Sequence, residues 1–256
     1  MIALRVPATR PCSTPMESTE ESRRAPTFAQ RGFTLVELAI VMFIVALLMG
    51  GMLLPLSAQQ DIRARQETEK ALSEIRDALL GFAITNGRLP RPATSATNGA
   101  EAASCADDAA CHGFIPWATL GTAKVDGWGK LIRYSVTPAY ANASITLASI
   151  PNRTVQTGVG LAYLAGAAAC STASQCVPAV IFSHGKSRFG TTDSGTPLGN
   201  GSATNTDEIA NDTGPMAYIS RIPTDNTTVT GGEFDDLVIW LSTNTLVNRL
   251  VSAGKL

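Results

Sequence analysis

The chain has 256 residues, enough for one ordinary domain with additional segments or for two small domains. Apolar residues make up 45% and charged residues only 16%, a balance that supports a buried core and argues against a disordered chain. The formal net charge is −1 and no run is rich in lysine or arginine, so nothing indicates general attraction to nucleic acid.

The first strong feature in chain order is an apolar run at residues 33–56, which contains a single charge, Glu37. At ~1.5 Å per residue, a helix of this length would cross a bilayer core of ~30 Å. Arg23, Arg24 and Arg31 precede the run. Because basic residues stay on the cytoplasmic side, the sequence predicts a cytoplasmic N-terminus and an exported remainder.

Three ordinary interpretations compete for this run. A cleaved secretory signal would have a shorter apolar region, of about 7–15 residues. A plain membrane anchor explains the length and the basic flank but leaves Glu37 without a role, although a charge in a bilayer core costs at least ~2.5 kcal/mol. A buried core helix would need neither the basic flank nor the length.

The run from Arg31 to Glu37 reads Arg-Gly-Phe-Thr-Leu-Val-Glu. It resembles the processing site of type IV prepilins and type II secretion pseudopilins. The resemblance implies that a membrane-embedded prepilin peptidase cleaves between Gly32 and Phe33 and methylates the new N-terminus at Phe33. It also implies that Glu37 is the assembly residue, which pairs with the freed amine of a neighbouring subunit in a filament. The apolar helix is retained as anchor and later as filament core.

The resemblance divides the N-terminal part into a leader at residues 1–32 and a membrane helix at residues 33–56. A leader of 32 residues is long for the family, and Met16 is an alternative start. In either case Cys12 is absent from the mature protein.

Four cysteines remain in the mature chain, in two pairs of equal spacing. Short polar sequence surrounds both pairs, which favours two disulfides in an oxidising compartment. Four cysteines allow three pairings, and the spacing favours the two local ones; four reduced thiols are the alternative. The candidate disulfide residues are Cys105, Cys111, Cys170 and Cys176.

After Pro55, which either kinks the helix or ends it, residues 57–90 are predicted to be an amphipathic helix that continues into the globular domain. Its inward residues are Ile62, Leu72, Ile75, Leu79 and Phe82, and Asn86-Gly87 is the stop signal. Residues 91–256 are predicted to be β-rich, with strands at 131–136, 144–150, 177–183 and 236–241. The segments 93–112 and 190–215 are predicted to be exposed loops, and residues 243–253 a short helix with Leu246, Val247 and Leu250 inward. The predicted fold class is α+β, a long N-terminal helix packed on a small antiparallel sheet.

The globular part carries a weaker resemblance to secretion pseudopilins in the runs 113–117, 120–121, 126–129 and 133–134, and in the acidic C-terminal run 234–240. Major pseudopilins bind calcium near such a segment, so the resemblance makes Asp235 and Asp236 weak calcium candidates. Two polar residues at the start of a strand are the alternative, because a calcium site needs six or more oxygens.

Other chemistry finds little support. The run His184-Gly185-Lys186-Ser187 lacks the first glycine of a phosphate-binding loop, since Val180 stands there. His112 follows Cys111 without a second zinc-spaced pair. With two histidines and no Gly-x-Ser-x-Gly run, a serine or cysteine catalytic set is not indicated, and the chain is predicted not to be an enzyme.

The sequence therefore predicts a structural subunit of the bacterial inner membrane, single-pass, with a periplasmic domain, which later enters a pilus or a secretion pseudopilus. Its expected partners are prepilin peptidase, other pilin or pseudopilin subunits, the inner-membrane assembly platform and membrane lipid. The large domain and two cysteine loops favour a minor component. The alternative is a signal-anchored periplasmic binding protein or enzyme that does not polymerise.

Overall fold

The computed structural model describes residues 32–256, without the side chains of residues 50–56. The predicted leader up to residue 31, with Cys12, Met16 and Arg31, lies outside the described residues. Backbone contacts divide the chain between Gly51 and Met52 into two units, which are described separately.

Helix α1 spans Leu35–Asn86, 52 residues, and starts in the first unit. Its helical assignment continues through Pro55, so the helix does not end at that proline. Wherever residues 32–256 are described, no helix has a stretch long and apolar enough to cross a membrane.

The part of α1 in the second unit carries the core-facing stripe predicted from periodicity. Leu72, Ile75 and Leu79 are fully buried, and Phe82 is half-buried. Ile62 is 57% exposed, so its assignment to the inward face was wrong. The helix ends at the predicted signal, where Gly87 takes a left-handed φ of 70° and donates its N–H to Ala83 O at 2.8 Å.

The second unit adds, within its described residues, nine short strands and four helices. The strands are β1 (His112–Phe114), β2 (Arg133–Val136), β3 (Thr154–Gln156), β4 (Tyr163–Ala165), β5 (Ala179–Ser183), β6 (Gly190–Thr191), β7 (Pro197–Leu198), β8 (Ala217–Ile219) and β9 (Leu237–Leu241). The helices are α2 (Trp117–Leu120), α3 (Pro138–Asn142), α4 (Thr206–Thr213) and α5 (Thr243–Ser252).

The main sheet has the order β1-β2-β5-β9 and is antiparallel throughout, with Ile181 of β5 facing Tyr134 of β2 and Ile239 of β9. A second sheet has the order β4-β3-β8, in which β3 and β8 are parallel, and β6 pairs with β7. The α+β class is confirmed, with one parallel pair added to the predicted antiparallel arrangement.

Strand β5 lies at the centre of the main sheet and separates two cores. Its residues Ala179 and Ile181 join the cluster formed with α1, whereas Val180 and Phe182 join a cluster with Tyr218 of β8. This division follows from the period of two in a strand. Because both faces are covered, the strand reads as a continuous apolar run.

Three predicted segments differ from the structure. Residues 93–112 lack helices and strands before β1 begins at His112, but they are not simply exposed, because Ala93, Cys105 and Cys111 are fully buried. Residues 144–150 do not form a strand, because they close a turn in which Thr146 N donates to Ser149 Oγ and Ser149 N donates to Thr146 O. Residues 190–215 are not a simple exposed loop, since they contain β6, β7 and α4, and α4 buries Asp207, Glu208 and Asn211. The error at residues 144–150 arose because Ile145 and Leu147 alternate with polar residues as in a strand, and the error at residues 190–215 because the buried residues of α4 are polar.

The turn at residues 126–129 fixes α1 to the sheet. Asp126 Oδ1 accepts the N–H groups of Trp128 and Lys130, each at 2.9 Å, and closes the turn. Gly127 N donates to Thr68 Oγ1 of α1 at 2.9 Å. A Cβ on Gly127 would lie 2.2 Å from Ala64 O, so only glycine permits this approach.

We predict that Gly127→Ala lowers the free energy of unfolding by about 1–3 kcal/mol, because the methyl group meets helix backbone that cannot move aside. The matched control is Gly81→Ala in α1, the helix that Gly127 contacts. A Cβ added at Gly81 meets nothing within 4 Å. That change should stabilise by about 0.5–1 kcal/mol. Denaturant unfolding of the two variants in detergent checks both signs, and equal effects would contradict the close approach.

Candidate functional site

The predicted processing site lies just before α1. Residues 32–34 have no regular secondary structure, and Phe33 is 84% exposed. A Cβ built on Gly32 would meet nothing within 4 Å. Gly32 and Phe33 are therefore exposed and lie outside α1.

Glu37 is held at the start of α1 by a reciprocal cap. Glu37 Oε2 accepts both the N–H and the hydroxyl of Thr34 at 3.1 Å, and Glu37 N donates to Thr34 Oγ1 at 3.2 Å. This capping box satisfies two of the amides that a helix start leaves free, and the helix dipole favours the negative charge there. Glu37 was predicted from the sequence to be a functional residue and Thr34 was not, although Thr-x-x-Glu is the capping-box pattern.

The first part of α1 exposes its apolar side chains on all sides. From Leu35 to Met49 the large apolar residues are between 42% and 86% exposed. A helix that is apolar all round has to be covered by lipid or by protein. Glu37 is its single charge among the described residues.

Both predicted disulfides are present, with the local pairing that the spacing favoured. They join Cys105 to Cys111 and Cys170 to Cys176. Cys105 and Cys111 are fully buried within the α1 core, whereas Cys170 is half-buried in a loop after β4.

Asp235 and Asp236, the two weak calcium candidates, meet Glu208 of α4. One carboxylate oxygen from each of the three lies within 4.8 Å of the others. Glu208 Oε1 accepts the Asp235 N–H at 2.8 Å, and Asp235 Oδ2 accepts the Ser187 N–H. Within the described residues, Oδ1 of Asp235 and Oδ1 of Asp236 are buried without a hydrogen-bond partner. Asp236 Oδ1 nevertheless lies 3.5 Å from His184 Nδ1, at ion-pair distance.

Two basic groups balance part of this negative charge. Lys130 Nζ donates to His184 O at 2.7 Å and to Ser187 O at 2.9 Å. His184 is fully buried, with Nδ1 3.5 Å from Asp236 Oδ1 and Nε2 3.3 Å from Asp212 Oδ1. Burial alone would lower the His184 pKa, but the two carboxylates outweigh it and the pKa lies above its ordinary value. The His184 side chain is therefore a buried charge partner of Asp212 and Asp236.

Glu208 is the member of the cluster that the sequence analysis missed. Burial, and then the charge of Asp236, raise the pKa of Glu208 to about 8. It lies 27 residues before Asp235, in a segment predicted to be an exposed loop. The available signal was the run Asn205-Thr-Asp-Glu, a polar cap followed by acidic residues in a first helical turn.

The comparisons with known proteins agree with the N-terminal site. The family model described as the prokaryotic N-terminal methylation motif matches residues 27–53. Searches of curated proteins and of solved structures each found no match. The chain therefore carries, at residues 27–53, the prepilin-type motif that is the hallmark of type IV pilins and pseudopilins.

Proposed function

We propose that this chain is a structural pilin-like subunit that prepilin peptidase cleaves between Gly32 and Phe33 and that then assembles into a filament. The single observation that carries the proposal is the methylation-motif match at residues 27–53. The cut leaves a mature chain that begins directly before α1 and keeps the whole apolar helix.

In this proposal, the apolar surface of α1 occupies two environments, one before filament assembly and one after it. Before assembly, lipid of the inner membrane covers the apolar part of α1, with the N-terminus cytoplasmic and the globular domain periplasmic. During assembly, on an inner-membrane platform, the helices of neighbouring subunits replace lipid. Since lipid tails are as apolar as leucine, packing and polar contacts must drive that exchange.

Glu37 supplies the polar contact in this proposal. In the isolated chain its carboxylate is bound by Thr34 of the same helix. Cleavage before Phe33 creates an ammonium group at the subunit's end, and a carboxylate in an apolar surrounding is stabilised by such a partner. Glu37 therefore exchanges an intrachain cap for a neighbour's amine, which sets the register between subunits.

The filament is a type II secretion pseudopilus or a type IV pilus, and the large domain with two disulfide loops favours a minor component. The rival function is a signal-anchored periplasmic binding protein or enzyme that never polymerises. The capped carboxylate inside a continuous apolar surface favours the filament, because a plain anchor gains nothing from a charge in lipid.

We predict that Glu37→Ala and Glu37→Gln both abolish or strongly reduce filaments while membrane insertion is unchanged. Glutamine is the matched control, because it preserves the capping box but removes the charge. Filaments in sheared or periplasmic fractions, and membrane pelleting of the subunit, are the measurements. Normal filaments in Glu37→Gln would assign Glu37 to helix capping alone, and normal filaments in both would refute the pairing.

We further propose that Glu208, Asp235 and Asp236 form a calcium site, completed by water or by backbone oxygens. Three convergent carboxylates with two buried oxygens lacking hydrogen bonds favour a hard cation. Lys130 already offsets part of the charge, which argues for modest affinity.

We predict that calcium raises the free energy of unfolding by about 2.7 kcal/mol at a free concentration about 100 times the Kd. The Tm shift should be larger at pH 9 than at pH 6, because Glu208, with its pKa of about 8, must lose its proton to bind calcium. Without calcium, the raised pKa makes stability fall as pH rises through about 8.

Thermal unfolding with CaCl₂, and with MgCl₂ at equal ionic strength, measures the effect. Asp235→Asn should remove the calcium shift, whereas Asp193→Asn, at an exposed turn, should keep it. A shift of equal size in both variants, or with both salts, would show that the cluster does not bind calcium.

A further inference from the structure

The two disulfides close loops of the same size, with a sequence separation of 6 in each. Loop-closure entropy in the unfolded chain therefore predicts equal stabilisation from both. What differs between them is the folded structure that each loop contacts.

The first loop, residues 105–111, contacts a fully buried charge of the domain, Arg153. Arg153, directly before β3, is fully buried and is the largest fully buried side chain of the described residues. Its Nη1 donates to Asp108 Oδ1 of the loop at 2.6 Å. Among the described residues, Asp108 is the carboxylate that forms an ion pair with Arg153. The remaining donors reach neutral oxygens, with Nε on Ser135 Oγ at 2.8 Å and Nη2 on Val136 O.

Asp108 is positioned by the closed loop. Its carboxylate also accepts Asn152 Nδ2 at 2.9 Å, but the side chain is 31% exposed and no regular element carries it. The loop ends are tied down, because Val136 N donates to Cys111 O at 3.0 Å and Asn142 Nδ2 donates to Cys105 O at 2.6 Å. The buried disulfide joins these two ends to each other, and together with the two hydrogen bonds it holds the segment that presents Asp108.

The second loop, residues 170–176, contributes no charged side chain to a buried ion pair. Residues 171–175 are uncharged, and Gln175 Oε1 accepts the N–H groups of Ser171 and Thr172 within the loop itself. The loop is joined to the domain at Cys176, which is 2% exposed and whose carbonyl accepts a hydrogen bond from Thr243 Oγ1 at 3.0 Å. Opening this loop leaves no buried charge unpaired.

We propose that the Cys105–Cys111 disulfide is the redox lock of the globular domain: it holds Asp108 against buried Arg153, so its reduction unfolds the domain, whereas reduction of Cys170–Cys176 leaves the fold intact. Removing one partner of a buried ion pair is far more costly than removing an exposed pair, because the remaining charge stays in the interior. The inference does not depend on the filament function.

The redox step is ordinary thiol–disulfide exchange with a dithiol reductant. A thiolate of the reductant attacks one cysteine sulfur, the S–S bond breaks, and the second reductant thiolate resolves the mixed disulfide. Two electrons and two protons pass to Cys105 and Cys111, which become thiols, and the reductant becomes a cyclic disulfide. The exported domain gains the lock by the reverse exchange with an oxidising dithiol–disulfide partner.

The test compares full-length chains in detergent. Cys105→Ser/Cys111→Ser should lower the Tm by about 10 °C more than Cys170→Ser/Cys176→Ser does. Equal losses would overturn the proposal, because loop-closure entropy would then account for both disulfides.

A second comparison keeps the proposal testable if the first variant folds poorly. Adding Arg153→Met to Cys105→Ser/Cys111→Ser should cost less than the two changes cost separately, since an apolar side chain needs no Asp108. Strict additivity would refute the link between loop and arginine.

Dithiothreitol titration of the natural chain, followed by alkylation and mass mapping, gives the direct readout. Cys170 and Cys176 should be alkylated while near-ultraviolet circular dichroism is unchanged. Alkylation of Cys105 and Cys111 should coincide with loss of that signal. A folded chain with Cys105 and Cys111 both alkylated would contradict the lock.

Discussion

The apolar surface of the first part of α1 is the constraint on which the functional account depends. Its large side chains, from Leu35 to Met49, are exposed on every side of the helix. Water is an unfavourable solvent for a continuous surface of this kind, so lipid or other helices must cover it. The N-terminal methylation motif at residues 27–53 includes the start of this helix. In the proposed function, prepilin processing removes the leader and retains the helix, so that one surface serves both purposes.

Glu37 shows how a charge is tolerated at the edge of that surface. The carboxylate is bound by the amide and hydroxyl of Thr34 at the positive end of the helix. Such a cap lowers the cost of the charge without shielding it fully, since the residue is exposed. A group held in this way is satisfied in the single chain and still open to a stronger partner.

In the globular domain, by contrast, several charged side chains are buried next to groups of opposite charge. Arg153 meets Asp108, His184 lies between Asp212 and Asp236, and Lys130 lies among carbonyl and carboxylate oxygens. Each arrangement joins segments that are distant in sequence. Buried pairs of this type contribute little net stability but make a misplaced segment costly, so they select one packing of many loops.

Local patterns predicted the parts of the structure that local physics decides. The inward stripe of α1 at Leu72, Ile75 and Leu79, the stop at Gly87, the buried strand β5 and both disulfides follow from periodicity, turn chemistry and spacing. Helix α4 was missed because its inward residues are polar, among them Glu208 and Asn211, and their burial depends on partners from β8 and the segment before β9. A polar residue that is buried by a distant partner leaves no periodic apolar signal.

Arg153 illustrates the same limit. A single arginine before a short strand is ordinarily exposed, and no local pattern marks it as the largest fully buried side chain. Its burial depends on Asp108, 45 residues earlier, and on a loop that a disulfide closes. The N-terminal site, by contrast, is contained in seven consecutive residues, which is why sequence alone identified it.

The mass of the mature N-terminal peptide tests the central claim most directly. Protein extracted from membranes of cells that contain prepilin peptidase should begin at Phe33 and carry one methyl group on its amine, with the helix from Leu35 onward intact. An unprocessed leader, or an N-terminus downstream of the apolar run near Ser57, would contradict the account, because the helix would then be neither freed at its start nor retained.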